Sequence, residues 1–120
     1  MSIKNILIVD DSKTEQVYLS QMLAAEGYAT QVASDAEEAQ KWIDLKRPDL
    51  ILLDIVMPGQ SGFQFARTLT RDEKYMDIPI ILCTSKDQET DRVWGLRQGA
   101  KAYIVKPVQK TELLEKIRAL

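Results

Sequence analysis

Histidine is missing altogether from the 120 residues of this chain. Its absence excludes Ser-His-Asp catalysis, histidine general acid/base chemistry and His-ligated metal centres, and the chain cannot itself serve as a histidine phosphodonor. Cysteine is nearly missing too: Cys83 stands alone, in the apolar run IPIILC. No intramolecular disulfide can form, and a packed structural thiol in a reducing compartment is expected. Long apolar runs are also lacking. The N-terminal MSIKNILIVDD meets two aspartates after the short run Ile6–Val9, too little for a signal-peptide core or a membrane span. A cytoplasmic protein without membrane insertion is therefore expected. There is no basic surplus: 16 Lys and Arg face 18 Asp and Glu, a net charge of −2. Nucleic acid is not expected as a direct partner, because its phosphates favour a basic face. The phosphate-cradling patterns GxGxxG and GxxxxGK[ST] are absent, which argues against a nucleotide site.

What is present reads as one compact domain, residues 1–120, with 45% hydrophobic residues and no repeat, low-complexity tract or interdomain linker. The last helical pattern ends at Leu120, so no output domain is expected. Five apolar runs predict strands: Ile6–Val9, a weaker Thr30–Ala33, Leu50–Leu53, Ile80–Cys83 and a weaker Tyr103–Val105. Continuous apolar runs suit strands covered on both faces, as in a parallel sheet. Between them lie residues at helical spacing: Tyr18, Leu19, Met22 and Leu23; Ala36, Ala39 and Ile43; Phe65 and Leu69; Val93 and Leu96; and Leu113, Leu114, Ile117 and Leu120. Gly27 and Gly99 act as helix stops, and Pro48 and Pro79 each precede a strand. The order βαβαβαβαβα implies right-handed crossovers and a doubly wound α/β sheet.

In such sheets ligands bind at the carboxyl ends of the strands, near the point where strand order reverses. That rule nominates Asp10 and Asp11 after the first strand, Asp54 after the third, Thr84 and Ser85 after the fourth, and Lys106 with Pro107 after the fifth. Taken singly, each has an ordinary structural reading. An acidic pair caps a helix or lines a solvated turn, Thr-Ser is an N-cap, and Lys-Pro is a turn. Gathered on one edge, they make a site of limited chemistry. Two carboxylates ~4 Å apart repel by roughly 4 kcal/mol at an effective dielectric near 20, so three need a cation. Lys106 supplies one charge. Oxygen ligands from Asp10, Asp11 and Asp54, without His or Cys, favour Mg²⁺ or Mn²⁺ over zinc. Mg²⁺ keeps positions for water and a phosphoryl oxygen, which points to phosphoryl chemistry. A carboxylate nucleophile can form an acyl phosphate when metal, cation and hydrogen-bond donors meet the charge. Asp54 is the best-placed nucleophile, with Thr84 as donor and Lys106 as ion-pair partner.

The segments ILIVDDS, PDLILLDIVMPGQSGF, IPIILCTS and AYIVKPV, in this order, resemble the response-regulator receiver family, the CheY-like domains, over the whole chain. The resemblance implies a flavodoxin-like (βα)5 fold with a five-stranded parallel sheet in the order 2-1-3-4-5. It implies Asp54 as phosphoacceptor, Asp11 and Asp54 as direct metal ligands, Asp10 reaching the ion through water, and the backbone carbonyl of Val56 as the third protein ligand. Thr84 would be the switch hydroxyl, Tyr103 the switch aromatic, and Lys106 the ammonium followed by a cis bond to Pro107. The implied cofactor is Mg²⁺. The implied phosphodonor is a chemotaxis-type histidine kinase or a histidine phosphotransfer domain. IVMPGQSGFQ and TSKDQETDRVWGLRQGAKAYIVKPV resemble, more narrowly, the stand-alone regulators of twitching motility by type IV pili, implying a monomer whose output is a pilus or motor protein.

Three rivals share features with this reading. An aspartyl-phosphate phosphohydrolase usually has a second Asp two residues after its nucleophile, where Val56 stands here. A phosphate sink or relay would use the same site without an output surface. A degenerate receiver used only for binding conflicts with the intact Asp, Thr and Lys set. Elsewhere, Trp42 and Trp94 are expected to pack against the core. Gly95 costs ~1 kcal/mol in a helix and hints at close packing or movement. Asp35, Glu37 and Glu38 with Lys41 are expected to form a solvated face. Arg92, Arg97, Lys101, Tyr103 and Lys110, on the surface of the fourth helix, fifth strand and fifth helix, mark the expected partner face. The resemblance also places Val56 and Lys86 beside the water path to an acyl phosphate. Val56→Asn is accordingly expected to change the dephosphorylation rate while leaving Mg²⁺ binding nearly intact. An unchanged decay of the phosphorylated protein would count against that role.

Overall fold

The structure, a computed structural model, describes residues 2–120. Its elements alternate without exception: β1 (Asn5–Val9), α1 (Lys13–Ala24), β2 (Ala29–Ala33), α2 (Ala36–Leu45), β3 (Leu50–Leu53), α3 (Gly62–Thr70), β4 (Ile80–Thr84), α4 (Glu89–Arg97), β5 (Ala102–Val105) and α5 (Lys110–Arg118). The five strands pair in parallel in the order β2-β1-β3-β4-β5, the flavodoxin-like topology expected from the sequence. Each predicted strand is present, four of them longer by one residue.

Parallel strands are buried on two faces, and the side chains divide between those faces by alternation. Leu7, Val9, Ile51, Leu53, Ile80 and Leu82 point into one cluster, closed by Ala39, Ile43, Phe65 and Leu69 from α2 and α3. Ile6, Ile8, Leu50, Leu52, Ile81 and Cys83 point into the other, closed by Leu19 and Leu23 from α1 and Leu113 and Ile117 from α5. Edge strand β2 is covered least, which explains its weak apolar signature. Cys83 is packed as expected, and burial pushes its thiol pKa up, away from reactivity.

Helix starts follow the sequence grammar. Ser12, Asp35 and Ser61 cap α1, α2 and α3, each accepting from an N–H three residues on. Gly27 and Gly99 follow α1 and α4 with φ of +91° and +104°. The expected solvated acidic face on α2 is only partly that. Glu37 and Lys41 form an exposed pair 3.9 Å apart. Asp35 is the cap, however, and Glu38 accepts from the Ser34 N–H at 2.7 Å, so both close the helix end.

Helix α4 departs further from expectation. Val93, Trp94 and Leu96 are exposed, Trp94 at 47%, and the helix buries Gly95 instead. A β-carbon on Gly95 would stand 2.6 Å from Leu82 Cδ1 and 3.1 Å from the Tyr103 ring. The helix thus docks through backbone, which lifts its larger side chains off the sheet. Trp42, by contrast, does pack against the core margin.

At the opposite edge from the strand carboxyl ends, Asp49 ties β1 to β3. Its Oδ2 accepts from the Lys4 and Asn5 N–H groups, both at 2.9 Å, while its own N–H donates to the Asn5 carbonyl at 2.8 Å. The Asn5 and then the Lys4 N–H hold its carboxyl pKa below the ordinary 3.8. A lowered folded pKa gives stability that is full above that ordinary value and lost as pH falls through the folded one. Asp49→Ala should lower the unfolding free energy by about 1–2 kcal/mol at pH 7. Denaturant titrations should show the gap from wild type closing as pH falls below the ordinary carboxylate range.

Candidate functional site

Two carboxylates are held at the carboxyl edge of the sheet by backbone bonds that continue the strand ladders. The Asp10 N–H donates to the Ala33 carbonyl and the Asp54 N–H to the Val9 carbonyl, both at 2.9 Å. Both residues are almost wholly buried, 1% and 7% exposed, while Asp11 beside them is exposed. One oxygen from each of the three lies within 4.8 Å of the others. The sequence-predicted acidic set is therefore assembled.

The cation that makes this tolerable comes from the far side of the sheet. Lys106 Nζ donates to Asp10 Oδ2 at 2.7 Å and to Asp54 Oδ2 at 3.1 Å. The remaining oxygens are satisfied locally: Asp10 Oδ1 accepts from the Ser12 N–H at 2.9 Å, and Asp54 Oδ1 from the Ile55 N–H at 2.7 Å. Burial pushes the Asp10 carboxyl up, a shift that Lys106 and Ser12 only partly offset. Burial also works against the Lys106 ammonium, but the bond to Asp10 and the two neighbouring carboxylates outweigh it, so its pKa rises. The asymmetry has a simple cause. One ammonium gains from two anions, whereas each anion receives a share of one ammonium.

Close packing sets the Asp54 loop. A β-carbon on Gly62 would stand 2.1 Å from the Asp54 carbonyl oxygen, and the Gly62 N–H donates to the Ile55 carbonyl at 2.8 Å. Only glycine lets α3 start against that backbone. Val56, two residues beyond Asp54, is exposed, and its N–H reaches Asp54 Oδ1 at 3.4 Å. Two residues of α1 brace the edge from the other side. Gln16 Nε2 donates to the Asp10 carbonyl at 2.6 Å, and the Tyr18 hydroxyl donates to the Val108 carbonyl at 2.6 Å. The latter bond pins the loop that carries Lys106, whose peptide bond to Pro107 is cis as expected.

Thr84 ends β4 fully buried, with Oγ1 accepting from the Lys86 N–H at 3.4 Å. Tyr103 lies inward, its hydroxyl donating to the Lys86 carbonyl at 2.7 Å. Burial first, then Asp91, Asp54 and Asp87, push its pKa up to about 12. Thr84 and Tyr103 therefore both meet the loop after β4. Arg92, Arg97 and Lys101 are exposed on the α4 side of β5, whereas Lys110 is drawn to Glu26, 3.0 Å away beyond α1.

Glu15, Gln16, Tyr18 and Gly62 belong to this site although nothing in the strand-end rule nominates them. Glu15 is the most telling. Its carboxyl is pushed up by burial, against the pull of Lys106 and with the push of Asp10 and Asp54. Oε1 is closed to solvent and has no hydrogen-bond partner among the described residues. A set of oxygen donors, two of them fixed by backbone and bearing surplus negative charge, fits a hard divalent ion.

An open parallel sheet carrying an acidic triad of the receiver Mg²⁺-site kind, with a lysine across from it, defines a class. The chain belongs to the response regulator receiver domain family, which it matches over residues 6–118. Receivers are phosphorylation signalling modules rather than conventional enzymes, and they take phosphoryl groups from histidine kinases. Among individual proteins, PilH of Pseudomonas aeruginosa is 48% identical over 115 residues, covering 96% of this chain and 95% of that protein. The phosphate regulon transcriptional regulatory protein PhoB of the same organism is 42% identical, and there the match covers 98% of this chain but 51% of PhoB. The chemotaxis protein CheY4 of Vibrio cholerae superposes with a TM-score of 0.89 at 29% identity, covering 98% of each chain. The receiver domain of a signal transduction histidine kinase from Syntrophus aciditrophicus gives 0.88 at 34% identity, covering 97% of this chain and 88% of that one.

The contact between Gly95 and Tyr103 yields a direct test. Gly95→Ala gains helix propensity, but its β-carbon must displace the Leu82 methyl and the Tyr103 ring. The tyrosine should then titrate closer to 10 than to about 12, read by ultraviolet difference against Tyr103→Phe. An unchanged titration would show that Leu82 alone absorbs the added methyl.

Proposed function

We propose that this receiver works as a stand-alone switch in which Asp54 accepts a phosphoryl group from a phosphohistidine. The donor would be a chemotaxis-type histidine kinase or a histidine phosphotransfer domain. The observation that carries the reading is the shared clasp of Lys106 on Asp10 and Asp54, which leaves one ammonium facing three carboxylates and calls for a further cation. Asp10, Asp11, Asp54 and the Val56 carbonyl would hold Mg²⁺, with Mn²⁺ as a substitute. That ion supplies charge neutralisation for the phosphoryl oxygens.

The chain's own residues do the rest. The Asp54 carboxylate forms the new O–P bond as the P–N bond to the partner's imidazole breaks, and the imidazole leaves with that electron pair. Lys106, already within 3.1 Å of Asp54, pairs with the arriving phosphoryl oxygens. Thr84 donates its hydroxyl to the same group and draws the loop after β4 with it. Tyr103, bonded to the Lys86 carbonyl of that loop, transmits the movement to the surface of α4, β5 and α5. An exposed apolar row there, Val93, Trp94, Leu96 and Val105, favours a switch with an output partner over a phosphate sink, which needs no such face.

The likeness to PilH across nearly the whole of that protein supports a receiver domain that acts on its own, and a monomer is part of the proposal. Together with the sequence resemblance to twitching-motility regulators, it supports an output on a type IV pilus or its motor. A cytoplasmic site of action is part of the proposal; separately, among the described residues no helix is long and apolar enough to cross a membrane. Incubation with acetyl phosphate should label wild type only when Mg²⁺ is present, and Asp54→Asn should take up less than one tenth as much, roughly the loss of a nucleophile from a transfer step. Labelling without Mg²⁺, or undiminished in the variant, would refute the reading.

A further inference from the structure

Glu15 occupies the position where a capping box should close. Ser12 caps α1 and accepts from the Glu15 N–H at 3.2 Å. In the reciprocal half of that motif the glutamate reaches back to the backbone N–H of the cap residue. Ser61 and Gln64 complete such a pair on α3. On α1 the returning bond cannot form in the same way, because the Ser12 N–H already donates to Asp10 Oδ1 at 2.9 Å. The Glu15 carboxylate is thereby released from its capping duty. Glu15 lies in the first turn of α1, three residues before Tyr18 and so on the same helix face, and Tyr18 bonds to Val108 in the loop that carries Lys106. Its Oε1 is shut away from water without a partner among the described residues, and the charges of Lys106, Asp10 and Asp54 bear on its carboxyl.

Glu15 is not one of the three carboxylates whose oxygens cluster within 4.8 Å. It therefore acts at one remove from any ion held by Asp10, Asp11 and Asp54. Its effect is one of charge. Three carboxylates, one ammonium and a divalent cation come to neutrality, and a fourth carboxylate leaves one negative charge in surplus. Such a surplus draws a cation in and resists an incoming anion.

We propose that Glu15 is a fourth acidic residue of the phosphoryl site, acting through its field rather than as a ligand: it raises affinity for the divalent cation and lowers affinity for phosphoryl-type anions. The inference rests on the reading of Asp54 as the phosphoryl site. It describes a receiver that loads metal readily and holds a phosphoryl group weakly.

The test uses the full chain, Glu15→Gln and the charge-preserving Glu15→Asp, with Mg²⁺ alone as the first ligand and beryllofluoride at saturating Mg²⁺ as the second. Both are followed by isothermal titration or amide chemical shifts. Glu15→Gln should bind Mg²⁺ about three- to tenfold more weakly and beryllofluoride more tightly by a similar factor, on the order expected for one partly screened charge. Glu15→Asp should stay within about twofold of wild type for both. Opposite signs for the two ligands are something loosened packing would not produce. Equal binding by wild type and Glu15→Gln, or weakening of both ligands, overturns the role of Glu15. A wild type that binds neither Mg²⁺ nor beryllofluoride overturns the reading of Asp54 beneath it.

Discussion

The site depends on one ammonium shared between two buried carboxylates. Asp10 and Asp54 directly follow the adjacent strands β1 and β3, whose register pairs Val9 with Leu53 and so sets the two residues side by side. Without Lys106 at 2.7 and 3.1 Å the carboxyl edge of the sheet would carry two desolvated negative charges with only backbone N–H groups to meet them. A buried pair that loses one partner is costly because a charge is left behind, which makes such an arrangement restrictive. Lys106 arrives from β5, the far edge of the sheet, so the run β1-β3-β4-β5 sets its position relative to Asp10 and Asp54.

Much of the surrounding structure serves to hold that clasp. Gly62 lets α3 begin against the Asp54 carbonyl. Gln16 grips the backbone of Asp10, and Tyr18 grips the loop two residues after Lys106. Thr84 and Tyr103 converge on the loop that leaves β4, next to the same charges. The clasp is thus bounded on three sides: by α1, by the Lys106 loop, and by the loop after β4, on which Tyr103 of β5 also rests. Next to Tyr103, α4 rests on a glycine and keeps its larger apolar side chains in solvent.

The fold was legible because its physics is local and repetitive. Apolar runs covered on both faces, glycine stops and prolines before strands suffice to order the elements, and the rule about strand ends then collects Asp10, Asp11, Asp54, Thr84 and Lys106. What escaped detection depends on approach distances or competition for one donor. Trp94 has the spacing of a core residue but stands outside, because Gly95 brings the α4 backbone too close for neighbours to follow. Glu15 fits a capping box on paper, and only the prior claim of Asp10 on the Ser12 N–H turns it inward. Tyr18 makes its contact 90 residues along the chain, which no window of sequence displays, and the close approach of Gly62 to the Asp54 backbone depends on how the intervening loop folds.

The most direct test is chemical. An acyl phosphate on aspartate is reduced by borohydride to homoserine, so the acceptor can be located by peptide mass spectrometry after reaction with acetyl phosphate and Mg²⁺. The account predicts homoserine at position 54 and nowhere else. Homoserine at position 10 or 11, or a phosphorylated protein in which no aspartate is reduced, would contradict it.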